Sequence, residues 1–242
     1  MDIEERLIIA ADYDPEKSGG VKDVVRNVLN LADNLEGLGV YIKVNSALRV
    51  AGYYLINKLH DRGLKVFADL KLIDIPNTMK TDALLLADYF PEILTVMCCA
   101  GTSGMRAVQN VLSKTKVLGV TVLTSLNDEE CRSVFNCSVN DGVLRFAHMA
   151  KLAGLNELVI SPKEVEVIKN NFDSEFWLNT PGIRPEWNLV EGDDQSRFLT
   201  PVQAIRNGAT RIVVGRPITK DKNPREATER TLEEIRQGLS EN

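Results

Sequence analysis

Eight short apolar runs alternate along this chain with longer helical patterns, and that order leaves few folds open. The runs cover residues 7–11, 40–44, 65–70, 93–98, 117–123, 157–160, 176–179 and 211–214. Each has about four to seven residues, rich in Val, Ile and Leu, and many are apolar at successive positions. A parallel strand covered on both faces reads this way. Helical patterns fill the gaps at about 21–38, 47–62, 77–89, 102–114, 139–153, 163–171, 201–207 and 224–238. Thr200-Pro201 supplies an N-cap and first-turn pair, and Asn207-Gly208 a helix stop. Strict alternation of eight strands with eight helices predicts an α/β chain folded as a (β/α)8 TIM barrel, a single domain over residues 1–242. The alternative, an open doubly wound sheet, carries G-x-G-x-x-G after its first strand. Here Ala11-Asp12-Tyr13-Asp14 stands in that place.

Composition excludes several functions. The 242 residues are 44% hydrophobic and 26% charged, ordinary globular usage that leaves no room for a disordered or fibrous chain. Lys and Arg number 29 against 34 Asp and Glu, a net charge of −5. Such a chain is a poor non-specific binder of nucleic acid or membrane surface. The acidic start, Met1-Asp2-Ile3-Glu4-Glu5, has neither the basic nor the apolar region of a signal peptide. The uncharged stretch 93–105 is too short and too polar to span a bilayer. The expected location is cytoplasmic. Cys98, Cys99, Cys131 and Cys137 form no C-x-x-C pair and read as reduced packing residues. With only His60 and His148, both in helical patterns, a multi-histidine zinc site and Ser-His-Asp chemistry are disfavoured.

In a barrel of this kind the active site lies where strands end and βα loops begin. Asp12 stands at the end of strand 1 and Lys43 at the end of strand 2. Strand 3 ends in Asp69-Leu70-Lys71, with Asp74 one turn later. Residues two apart on a strand face the same side, so Asp69 and Lys71 are expected to face the barrel mouth together, with Lys43 beside them. The predicted arrangement is an alternating Lys–Asp–Lys–Asp array of Lys43, Asp69, Lys71 and Asp74. Two charges 4 Å apart interact by about 4 kcal/mol at an effective dielectric of 20, so the array offsets its desolvation only when its members are all present. Carboxylates matched by ammonium groups argue against a divalent metal. A lysine flanked by carboxylates stays protonated and suits an acid, not a Schiff base. It fits a reaction that builds carbanion character and then needs a proton.

The loops after strands 7 and 8 are the usual phosphate site of the fold. They carry Thr180-Pro181-Gly182-Ile183-Arg184 and Gly215-Arg216. Glycine N–H groups and a forked guanidinium suit a phosphate dianion. The long polar loop from about 184 to 198 reads as a lid over that phosphate, with Gln195 donating to it.

The run Asp69-Leu70-Lys71-Leu72-Ile73-Asp74-Ile75-Pro76-Asn77-Thr78 resembles the signature of the orotidine 5'-phosphate decarboxylase family. The resemblance continues, in the family's order, through Ala11-Asp12, the segments 41–44, 120–125 and 160–162, Thr180-Pro181-Gly182-Ile183-Arg184-Pro185 and Val214-Gly215-Arg216-Pro217. It implies a cofactor-free, metal-free homodimeric barrel that converts orotidine 5'-phosphate to uridine 5'-phosphate and CO2 in pyrimidine synthesis. Under it, Lys71 protonates C6 and Asp69 lies beside the departing carboxylate. Lys43 and Asp12 hold the ribose hydroxyls. Asp74 and Thr78 reach the partner subunit's site. Thr124 or Ser125 contacts the base, Ile75 and Pro181 line the substrate site, and Arg184, Gln195, Gly215 and Arg216 hold the phosphate. Two places depart from the family pattern: Asn45, where glycine is common, and Met97-Cys98-Cys99-Ala100-Gly101, where a His-Ala-x-Gly-Gly type segment is common. The rival readings are a Mg2+-dependent sugar-phosphate decarboxylase or synthase of the same superfamily, and a non-catalytic nucleotide-binding homologue. Lys43, where the Mg2+ group has an acid, disfavours the first, and the intact charged set disfavours the second.

Overall fold

The structure is a computed structural model that describes residues 1–172, 176–188 and 198–240. The expected strands are present: β1 (Leu7–Ala10), β2 (Tyr41–Val44), β3 (Lys65–Leu72), β4 (Ile93–Met97), β5 (Lys116–Val120), β6 (Glu157–Val159), β7 (Trp177–Thr180) and β8 (Arg211–Val214). They pair in chain order and close into a barrel. β1 and β8 run parallel from Leu7↔Ile212 to Ile9↔Val214. The predicted (β/α)8 architecture is therefore the observed one.

Around the barrel lie α1 (Pro15–Ser18), α2 (Val21–Leu35), α3 (Ser46–Ala51), α4 (Tyr54–His60), α5 (Pro76–Ala87) and α6 (Gly101–Val111). They are followed by α7 (Asp128–Phe135), α8 (Val139–Ala153), α9 (Val165–Asn171), α10 (Pro201–Asn207), α11 (Arg216–Thr219) and α12 (Pro224–Ser240). Three expectations need correction. The single helix expected over 47–62 is two, α3 and α4, because Gly52 takes φ 72° and ends the first. The fifth strand stops at Val120, not 123. Short helices α1, α7 and α11 occupy loops after strands. α7 is started by a capping box in which Asn127 and Glu130 satisfy each other's backbone N–H groups.

Strand alternation sorts side chains into two cores. Ile8, Tyr41, Phe67, Ile93, Leu118 and Val213 form an inner cluster, with Ala10 and Val159 packed on it. The intervening residues, such as Leu7, Ile9, Ile42 and Val66, join the sleeve under the helices. At the N-terminal end of the barrel the fully buried Arg211 pairs with Glu157 at 2.6 Å and donates to Asn179. A charged plug thus sits at one end, and the inward positions at the other end are left for the site.

Candidate active site

The parity that fills the inner core also aims charges at the mouth. Ile8, Ala10 and Asp12 are two apart, as are Tyr41 and Lys43, and Phe67 and Asp69. The register Ala10↔Lys43 and Lys43↔Phe67 brings the next residues of these strands together. They line a cavity of about 350 Å³ that contains Asp12, Lys43, Asp69 and Lys71, with Phe67 and Val213 below and Thr124, Pro181 and Gly215 around it.

The four charges form a continuous chain. Lys43 Nζ lies 2.9 and 2.8 Å from the two oxygens of Asp12 and 3.2 Å from Asp69 Oδ2. Lys71 Nζ lies 2.7 Å from both oxygens of Asp69. Lys43 and Asp69 are buried, while Asp12 stays more than half exposed at the rim. Burial alone would push the Asp69 carboxyl up. Lys43 and Lys71, with hydrogen bonds from Lys71 and Thr95, outweigh it and hold Asp69 below the ordinary carboxylate range.

Two sequence expectations are corrected here. Lys71 does not reach the site by plain strand alternation. Its φ is +50°, and the β3–β4 register jumps from Ala68↔Leu94 to Leu72↔Val96, so β3 carries a bulge at its catalytic-side end. Extra bulge residues lose their ladder partners. The freed Lys71 N–H instead donates to Thr95 Oγ1 at 3.0 Å, and the Thr95 hydroxyl donates to Asp69 Oδ1 at 2.8 Å. Thr95 stands outside the sequence motifs of the site, yet it joins the Lys71 backbone to Asp69. Its signal was a lone hydroxyl in the otherwise apolar β4, in phase with the inward Ile93. Secondly, within one chain Asp12 extends the array through Lys43, and Asp74 makes no ion pair with Lys71 of its own barrel. Past the bulge the backbone turns outward, and exposed Asp74 accepts the N–H of Ile75 at 2.6 Å.

The flanking residues divide accordingly. Ile73 and Ile75, on either side of Asp74, are 57% and 66% exposed, and Thr78 is half-buried in the first turn of α5. None of these lines the cavity with Lys71. Thr124 does, and also borders a neighbouring cavity that Ser125 lines. A further cavity of about 720 Å³ adjoins the first through Asp12, Gly182 and Gly215 and is lined by Arg184, Asn188, Arg216 and Lys220. It brings the expected phosphate residues Arg184, Gly215 and Arg216 together. Arg184 stacks on the Phe198 ring at 3.8 Å. Gln195, and with it most of the expected lid, lies outside the described residues. Of the departures, Asn45 precedes α3, and Cys98 is buried beside Gly119, where a Cβ would approach its sulfur to 2.7 Å. Burial pushes the Cys98 thiol up, as befits a packing residue.

Near the mouth, Glu164 closes the turn after β6 by accepting the Ser161 N–H at 2.9 Å. Its burial pushes the carboxyl up to about 7. A carboxyl raised in the folded state contributes stability that is complete below pH 4.5 and is lost as pH rises through about 7. Denaturant unfolding should therefore show a decline from pH 5 to pH 8. Glu164→Gln should remove up to about 3 kcal/mol of it, at 1.36 kcal/mol per pKa unit. An undiminished decline in that variant would place the titration elsewhere.

Comparison with known proteins fits this geometry. The Orotidine 5'-phosphate decarboxylase / HUMPS family matches residues 5–231. Orotidine 5'-phosphate decarboxylase of Synechocystis sp. is 38% identical, over 85% of this chain and 90% of its own length. That of Syntrophus aciditrophicus is 38% identical, over 98% of this chain and 95% of its own. The crystal structure of orotidine 5'-phosphate decarboxylase from Lactobacillus acidophilus superposes with a TM-score of 0.77 at 32% identity, covering 96% of this chain and 99% of that one.

Proposed function

The chain belongs to the orotidine 5'-phosphate decarboxylase / HUMPS family, and from that premise we propose that it decarboxylates orotidine 5'-phosphate to uridine 5'-phosphate, a step of pyrimidine biosynthesis, with Lys71 as the proton donor. The observation that carries this reading is the Asp12–Lys43–Asp69–Lys71 chain at the barrel mouth.

Cleavage of the C6–carboxyl bond releases CO2 and leaves the electron pair on C6, in the ring plane and outside the π-system. The barrier must therefore fall by electrostatics. Lys71 offers a positive charge to that pair and then transfers a proton from Nζ to C6. Asp69, held by Lys43, Lys71 and the Thr95 hydroxyl, fixes the ammonium in place and is assigned a position beside the departing carboxylate. Lys43 and Asp12 are assigned to the ribose hydroxyls, Thr124 and Pro181 to the base, and Arg184, Gly215, Arg216 and Gln195 to the phosphate. The catalytic task is on the order of 20 kcal/mol. Binding energy from the remote phosphate contributes part of it.

The reading includes no metal and no cofactor. Lys43 sits between the two carboxylates that a divalent ion would need, and its ammonium pairs with both. That placement disfavours the Mg2+-dependent alternative. The reading also includes a homodimer. Exposed Ile73 and Ile75 flank Asp74, and apolar side chains left open beside a charged residue suit a protein partner. Asp74 and Thr78 would then complete the neighbour's site.

The test is an assay of purified protein with orotidine 5'-phosphate after exhaustive dialysis against a chelator, scored by CO2 release and uridine 5'-phosphate formation. Full turnover is expected. No turnover, or turnover restored only by added Mg2+, would overturn the reading.

A further inference from the structure

The two loops assigned to phosphate share one anchor on the last helix. The turn Glu186–Asn188 follows Arg184 after Pro185, and its Asn188 lines the same cavity as Arg184 and Arg216. The other side of the turn is docked on α12. Glu234, 7% exposed, accepts the Glu186 N–H with both carboxylate oxygens, at 3.0 and 3.2 Å. Arg230, one helical turn earlier on the same face, lies over the Trp187 ring at 4.2 Å. Trp187 in turn packs against the outer core. The Arg230 guanidinium also donates to Asp221 Oδ2 at 3.2 Å. Asp221 follows α11, the helix that opens with Arg216, and its N–H donates to the Ile218 carbonyl of that helix.

We propose that Glu234 and Arg230 are positioning residues for phosphate recognition, which set the loop carrying Arg184 and the helix carrying Arg216 at a common spacing. The inference rests on the phosphate assignment above. Neither residue lines the cavity, so they act through the backbone they hold. Of the two, Glu234 carries more. Its carboxyl is buried and offers both oxygens to a backbone donor, while the Arg230–Asp221 pair is partly exposed and screened by solvent. A displacement of about 1 Å at a positioned group can cost about 10²-fold in rate, so a loosened anchor has a measurable cost.

The test compares orotidine 5'-phosphate with phosphate-free orotidine in wild type, Glu234→Ala, Glu234→Gln, Arg230→Ala and, as the control for direct contact, Arg216→Ala. Glu234→Ala should lower kcat/KM for the phosphate ester about tenfold or more and weaken uridine 5'-phosphate binding in parallel. It should leave kcat/KM for orotidine within about twofold, since no phosphate contact remains to lose. Glu234→Gln keeps an acceptor for the Glu186 N–H and should restore most of the loss. Arg230→Ala should show the same phosphate selectivity at smaller size; its side chain is 42% exposed, so it carries the test should Glu234→Ala fold poorly. Equal damage on both substrates, or a Gln variant as impaired as Ala, overturns the anchor. If Arg216→Ala is phosphate-selective and the α12 variants are not, the anchor alone is rejected. If Arg216→Ala is itself unselective, the phosphate assignment falls and the anchor with it.

Discussion

Lys71→Ala is expected to abolish turnover while leaving uridine 5'-phosphate binding largely intact. Loss of a positioned acid costs at least ~10²-fold, and here the same ammonium is assigned the charge stabilisation as well. The fold should tolerate the change. Asp69 keeps Lys43 at 3.2 Å and the Thr95 hydroxyl at 2.8 Å, so no buried carboxylate is left without a partner. The Lys71 N–H bond to Thr95 is a backbone contact and survives truncation of the side chain. The residues assigned to ribose and phosphate lie on other strands. Single-turnover assays with calorimetric titration of uridine 5'-phosphate separate the two effects. Residual activity above about 1%, on the ~10²-fold criterion, would remove Lys71 from the role of proton donor.

The second large effect is a gain. Asp74 lies outside the ion-pair chain of its own barrel and points to solvent beside Ile73 and Ile75. If it completes the partner's site, Lys71→Ala and Asp74→Asn should each be nearly inactive alone yet active as hybrids. Unfolded together in equal amounts and refolded, random assortment with two-fold pairing makes about half the dimers hybrids. In each hybrid one site carries both lesions, and the other combines an intact Lys71 with an intact Asp74. The mixture should recover about one quarter of wild-type activity, half the dimers times half their sites. With hybrid formation verified by native mass spectrometry, a mixture as inactive as its parents would reject the shared site.

Both predictions depend on residues whose placement was legible to different degrees. The period of eight apolar runs was enough for the barrel, because a strand buried on both faces and a helix with one apolar face leave few ways to bury all their surfaces. Parity was enough to aim Asp12, Lys43 and Asp69 inward, since successive strand residues alternate faces whatever the neighbours do. Chain order was enough to put Arg184 and Gly215-Arg216 at the same end.

The tertiary structure alone decided which charge meets which. The register Ala10↔Lys43 set Asp12 beside Lys43, an ion pair that the linear order does not show. The β3 bulge, with Lys71 at positive φ, turned Asp74 outward and gave Thr95 a donor and an acceptor to join. The docking of Glu186 and Trp187 on α12 joins residues 48 apart in the chain. The physical reason is range. Periodicity and side-chain parity are set by the backbone within a few residues. Ion-pair partners, bulges and buried carboxyls such as Glu164 depend on strand register and on what the closed barrel packs against them, and those contacts exist only once distant segments have met.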